Sequence, residues 1–278
     1  MSGTALEGIL RRDRQAVVVA LAILTILAWG YLLWLSHNMT MPEPSGMDMG
    51  GMDMSPMSMT VTPDTRPWAF TEFLLSFAMW AVMMAGMMMP SATPTILLHA
   101  RIARQAEARH KPFAATGWFA AGYLLAWSVF SLLAAGLQAA LHRAALLTPM
   151  LASSSGLLGG GLLIAAGLYQ LSSLKYHCLT HCRAPLQFIQ QHGGFKARPA
   201  AALALGFRHG LYCVGCCGAL MLLLFVGGVM NILWIAALSI LVLLEKVMSD
   251  GRNVSRLVGL ALIIAGLVLI GQRLDLLA

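Results

Sequence analysis

The chain has 278 residues, 59% of them hydrophobic and only 10% charged, with a formal net charge of +7 and a mean hydropathy of +0.76. Soluble domains carry roughly a quarter of their residues as Asp, Glu, Lys and Arg, so this chain has too few charges to cover a water-exposed surface. The composition excludes a soluble enzyme, a disordered regulator and a nucleic-acid reader; the basic excess reads instead as loops on the cytoplasmic side of a multi-pass membrane protein.

Apolar runs set the expected architecture. The first, Ala16 to Leu35, holds twenty residues without a charge behind Arg11, Arg12 and Arg14. At about 1.5 Å per residue it is long enough to span a bilayer, too long for a signal-peptide core, and is read as a retained helix. Six more runs follow at about 68–98, 113–141, 157–174, 201–229, 231–244 and 257–270, the last two short. The expected fold class is therefore all-α, a polytopic membrane helix bundle of about seven transmembrane helices. Fourteen of the 18 Lys and Arg residues fall on segments that an N-in, C-out arrangement places inside, and three fall outside. The positive-inside rule then fixes that orientation. The expected division is residues 1–35 as the N-terminal cytoplasmic segment and first helix, 36–67 as an outside loop, and 68–278 as a six-helix domain. Small-residue pairs four apart (Gly156/Gly160, Gly117/Ala121, Ala261/Ala265) are expected where helices pack closely.

Sulfur is distributed unevenly along this frame. The chain has 19 methionines, and eight of them lie in the outside loop as four Met-x-Met pairs: Met39/Met41, Met47/Met49, Met52/Met54 and Met57/Met59. Pro, Gly, Ser and Asp separate the pairs, so neither helix nor strand is expected there. A thioether is soft, uncharged and needs no deprotonation, and two of them on a pliant loop can grip one Cu(I) ion. The pattern reads as copper capture on the outer, periplasmic side, against the plainer reading of a polar linker.

The second apolar run continues the theme. Met79, Met83 and Met87 are four apart and stack along one helix face, with Met84 and Met88 in a neighbouring row and Met89 before Pro90. From 79 to 89 the rise is about 15 Å, half the hydrocarbon thickness. Methionine is also a general core filler, so packing and metal relay both stay open here. Glu72 near the outer mouth reads either as a snorkelling charge or as a ligand.

Cysteine and histidine then form two groups. In Lys175–Arg183, His177/His181 and Cys178/Cys182 are two four-apart pairs on adjacent helix faces, a spacing that lets side chains share one Cu(I) or Zn(II) ion. Lys175 and Arg183 are expected to favour the thiolates. In the fifth run, His209, Cys213, Cys217 and Met221 follow one another at four-residue intervals, with Cys216 beside them. An Arg and a His at membrane depth, Arg208 and His209, point to function by default. Topology puts both groups toward the cytoplasmic side, where thiols stay reduced; whether they share one site is left open by the sequence.

At these residues the chain resembles a bacterial multi-pass family catalogued as predicted metal-binding integral membrane proteins, a domain of unknown function. The resemblance covers roughly residues 75–250. It rests on Trp80 with the Met-rich stretch to Pro90, on Cys178, Leu179, Cys182, Arg183 and Pro185, and on Cys213, Gly215, Cys216, Cys217 and Met221. Gly228, Met230-Asn231, Trp234 and Glu245-Lys246 also fit, while Gly218 departs from the aromatic residue common at that position. The resemblance implies metal binding, but neither the metal nor a reaction.

The resulting expectation is a copper(I)-handling inner-membrane protein, a transporter or a donor to a cuproenzyme rather than an enzyme itself. It would take copper at the Met-rich loop and pass it through intramembrane Met to the Cys/His site, with zinc as the alternative ion. The partners expected are the lipid bilayer and a membrane cuproenzyme or periplasmic copper chaperone; nucleic acid is not expected, and oligomeric state is left open. Two other functions compete: a thiol-disulfide oxidoreductase using Cys213/Cys216, and an assembly subunit with a stabilising metal. No G-x-x-x-x-G-K-[ST] pattern is present, so ATP hydrolysis is not expected.

Overall fold

The computed structural model describes residues 3–40, 70–107, 115–148, 151–153, 155–191, 198–248 and 250–275. Among them every named element is an α-helix, and the one β feature is an isolated antiparallel bridge between Leu147 and Ser153. In chain order these are α1 (Gly3–Thr40), α2 (Phe70–Glu107), α3 (Thr116–Arg143), α4 (Gly156–Leu171) and α5 (Ser173–Arg183). They are followed by α6 (Pro185–Gln191), α7 (Pro199–Leu222), α8 (Leu224–Gly227), α9 (Ile232–Val247) and α10 (Gly251–Asp275).

Five helices are long and apolar enough to cross a membrane, within α1, α2, α3, α7–α8 and α10. A sixth crossing can come from α4 and α5 taken together, which meet at a 64° bend. The chain is thus an all-α polytopic bundle, and it departs from seven uniform helices in two places. The fourth run breaks at Ser172, whose backbone is extended and whose hydroxyl accepts from Lys175 N at 3.2 Å to start α5. The sixth run folds as α9, 16 residues long, about 24 Å against a hydrocarbon core of about 30 Å.

α2 continues through Pro90 and Pro94, although each proline lacks an N–H and deprives the carbonyl four residues back of its partner. Hydroxyls gather at this weakened stretch. Ser91 Oγ donates to Met88 O at 2.8 Å, Thr93 Oγ1 to Met89 O at 3.0 Å, and Tyr123 OH, from α3, to Met88 O at 3.2 Å. These donors bond carbonyls of the same turn, whereas the carbonyls that the prolines leave without an N–H are those of Gly86 and Pro90.

Two helix pairs touch backbone to backbone. In α3 against α7, a Cβ on Gly122 would strike Leu203 O, one on Gly206 would strike Phe119 O, and one on Gly210 would lie 2.5 Å from Ala126 Cβ. In α4 against α10, a Cβ on Gly160 would lie 2.8 Å from Gly266 O and one on Gly167 2.7 Å from Gly259 O. Small residues let main chains approach this closely where no water is available to drive association. Of the expected pairs only Gly160 sits at such a contact. Gly117 has open space around it, and Ala121, Ala261 and Ala265 are exposed.

The centre of the bundle is aromatic and sulfur-rich. Trp80, Phe119, Tyr123 and Trp127 are buried, and Trp80 donates to Gln138 Oε1 at 2.6 Å while its ring lies 5.3 Å from that of Phe225. Lys175 and Glu245, both buried, pair at 2.7 Å, and Gln170 Nε2 adds a bond to Glu245 Oε1 at 3.0 Å. Arg183 donates to Met248 O. Both ends of α5 are therefore tied to the end of α9, which fixes the residues between them.

Candidate metal centre

Those residues are Cys178 and Cys182, and α5 presents them to α7. Cys182 Sγ lies 3.7 Å from Cys216 Sγ, so the two cysteine groups meet in one site. Cys178 reaches the backbone of α7 at Gly215, where a Cβ would come within 2.8 Å of its sulfur. Tyr169, from the end of α4, donates to Gly215 O and fixes the same turn. Gly215 is thus a close-approach glycine whose neighbour is a sulfur atom.

On α7 itself, Cys213, Cys216 and Cys217 place their three sulfurs within 4.8 Å of one another, all buried. Cys216 Sγ lies 3.2 Å from Cys217 Sγ and donates to Cys213 O at 3.3 Å. All five cysteines are free thiols. A metal ion set among three such sulfurs would gain soft ligands with little backbone movement, and Cys182 stands beside them as a further donor.

Two side chains unassigned by sequence reasoning complete the site. Lys246, in the last turn of α9, places Nζ 3.0 Å from Cys213 Sγ and 2.9 Å from Ser91 Oγ. Tyr123 OH lies 3.1 Å from the same sulfur while it donates to Met88 O. A cation beside a buried thiol favours its thiolate and offsets the negative charge that several thiolates would bring to a metal. The sequence signal for Lys246 was an adjacent Glu-Lys pair ending an apolar run, charges that membrane burial makes expensive. The cations expected to act on the thiols have other partners: Lys175 bonds Glu245 and Arg183 bonds Met248 O.

The other expected ligands fall in three places. Met79, Met83 and Met87, with Met84, Met88, Met89 and Met221, belong to the same buried cluster as Cys213, Cys216 and Cys217, and Cys178 and Cys182 pack against it. None of these methionines faces outward. His209 is buried one turn before Cys213, but its ring faces Phe188 at 5.2 Å, Phe119 and Tyr123 at 5.9 Å, and its Nδ1 has no hydrogen-bond partner. Arg208 is exposed. His177 is exposed and His181 half-buried, their rings 4.4 Å apart, with His181 stacked on Tyr212 of α7 at 4.6 Å. Met41, Met47, Met49, Met52, Met54, Met57 and Met59 lie outside the described residues, and α1 extends to Thr40, so Met39 is on its last turn with its side chain also outside them.

A buried soft-donor site inside an apolar bundle defines a membrane protein that handles a thiophilic metal. The family comparison makes this particular: residues 77–269 match the family PpoB2, described as copper chaperone, and the chain belongs to that family. The match bears out the metal-related part of the resemblance and supplies copper where that resemblance left the metal open. Comparison with curated proteins and with solved structures gives no match.

Proposed function

We propose that this chain is an inner-membrane Cu(I) carrier, N-in and C-out, which takes copper at the Met-rich loop and hands it through intramembrane thioethers to the thiol site. The observation that carries the reading is the convergence of Cys213, Cys216 and Cys217, within 4.8 Å of one another, with Cys182 3.7 Å from Cys216. Tyr123 supports continuity, since one hydroxyl joins the backbone of Met88 in the methionine row to Cys213 Sγ. Softness rises along this route from thioether to thiolate, which would draw Cu(I) inward. Each thiol that takes the ion releases a proton, and Lys246 holds charge against the resulting anionic complex. His177 and His181, half-buried to exposed beside Cys178 and Cys182, are suited to receive the ion next and pass it to a partner. The four-sulfur set would also accept zinc; the methionine row and the family favour copper.

Burial argues against thiol-disulfide exchange as the main activity, because Cys213 and Cys216 are 0% and 1% exposed and a protein disulfide could not reach them. The test is copper stoichiometry and affinity of the purified full-length protein beside a variant with Cys213, Cys216 and Cys217 all changed to Ser. The wild type should keep tightly bound Cu(I) through purification, and the variant should bind it at least about 100-fold more weakly, as expected when thiolate ligands become hydroxyls. Equal copper binding by the two would rule the reading out.

A further inference from the structure

A second polar site lies at the bend between α4 and α5, away from the sulfur cluster. It is a cavity of about 150 Å³ whose walls include Gln170, Ser172, Tyr176, Arg252, Ser255 and Arg256. A cavity of that volume can hold a group about the size of a benzene ring.

Its chemistry is that of an anion site with one acceptor. Arg252 and Arg256 stand four apart on the first turns of α10, and Arg252 lies over the Tyr176 ring at 4.5 Å. Residues at the start of α5 and α10, Ser173 and Arg252, both line the cavity. Among the described residues neither nearby carboxylate forms an ion pair with these arginines. Glu245 is engaged by Lys175 and Gln170, and Asp250 accepts from Asn253 Nδ2 at 2.6 Å. Two buried polar atoms on the wall then lack partners: Ser255 Oγ and Gln170 Oε1, on side chains each 4% exposed. Orphaned polar atoms at such burial are rare and costly, and point to something that fills the space. Ser255 and the arginines can donate to an anion, whereas Gln170 Oε1 needs a donor.

We infer that this cavity binds a phosphate group bearing or adjoining a hydroxyl: the phosphate goes to Arg252, Arg256 and Ser255, and the hydroxyl donates to Gln170. Two sources present that chemistry, a phospholipid headgroup such as phosphatidylglycerol and protonated inorganic phosphate. Leu174 and Leu257 beside the cavity are 59% and 68% exposed, which suits acyl chains leading from a headgroup. The site would tie the start of α10 to the bend between α4 and α5.

Native mass spectrometry of the full-length protein in detergent, offered phosphatidylglycerol or phosphatidylcholine, and calorimetry with inorganic phosphate, test this. The expected result is retention of phosphatidylglycerol over phosphatidylcholine, cut by about tenfold or more in Arg252→Gln/Arg256→Gln, as loss of charge-assisted bonds predicts. Ser255→Ala should give a smaller loss, and Arg208→Gln, an exposed arginine elsewhere, none. Inorganic phosphate binding that disappears in the double variant, without lipid preference, would assign the site to the free anion. Because both arginines are exposed and lie outside the sulfur cluster, copper content should stay unchanged, which keeps this proposal separate from the copper reading. Equal retention of both lipids, together with no phosphate binding that depends on Arg252 and Arg256, would overturn it.

Discussion

Two glycine contacts in this protein do opposite jobs. Between α4 and α10, Gly160 and Gly167 face the carbonyl oxygens of Gly266 and Gly259, so backbone closes on backbone and no ligand-bearing side chain enters. Between α5 and α7, Gly215 faces Cys178 Sγ, and the space left by its missing side chain admits a sulfur atom. The first device builds the bundle. The second lets α5 close on α7, so that Cys182 comes to 3.7 Å from Cys216 in the α7 cluster while Cys178 packs against the Gly215 backbone.

The comparison breaks most visibly at the structural contacts. Gly160→Leu should destabilise the protein by about 3 kcal/mol or more, because rigid backbone at Gly266 cannot give way. Thermal unfolding in detergent would measure this, and the fraction that stays folded should bind copper normally. Lys175→Met belongs to the same class: it leaves the buried Glu245 carboxylate without its cation, at a cost of about 3–5 kcal/mol, and should also loosen α5. Gly215→Ala should behave differently. Its Cβ meets the movable end of a side chain, so stability should change by no more than about 1 kcal/mol, whereas displacement of Cys178 should weaken Cu(I) binding about tenfold. A competition titration with a Cu(I) chelator reads that difference. Lys246→Met, which leaves the sulfurs but removes the charge 3.0 Å from Cys213, should weaken Cu(I) binding by about tenfold at unchanged sulfur ligation. The smallest effect is expected at Gly117, where an added Cβ would meet nothing within 4 Å. There Ala should raise stability by about 0.5 kcal/mol or less, because Gly117 lies in the first turn of α3, where the interior penalty of glycine applies only in part.

Gly117 also marks how far the sequence could be read. Length, hydropathy and charge were enough for an all-α membrane bundle, because those properties belong to each segment by itself. The four-residue spacing of Met79, Met83 and Met87 likewise predicted one shared face, and that face is buried. Pairing is a property of two segments, so Gly117/Ala121 and Ala261/Ala265 looked like packing motifs although both face outward. The contacts at Gly122, Gly206 and Gly259 depend on which helix arrives opposite them. For the same reason spacing along one helix suggested His209 as a partner of Cys213, whereas its ring turns to Phe188 and Phe119. Lys246, 33 residues from Cys213 in the chain, reaches it only because the fold brings the last turn of α9 beside α7. The bend at Ser172 escapes a reading that carries the apolar run to Leu174, although Gln170, Ser172, Ser173 and Lys175 mark a polar break with a helix-capping serine.

X-ray absorption at the copper edge, on full-length protein loaded with one equivalent of copper, tests the central claim most directly. The account predicts Cu(I) in an all-sulfur shell that is lost when Cys213, Cys216 and Cys217 are replaced by Ser. A shell of nitrogen and oxygen alone, or a sulfur shell unchanged by that replacement, would contradict it.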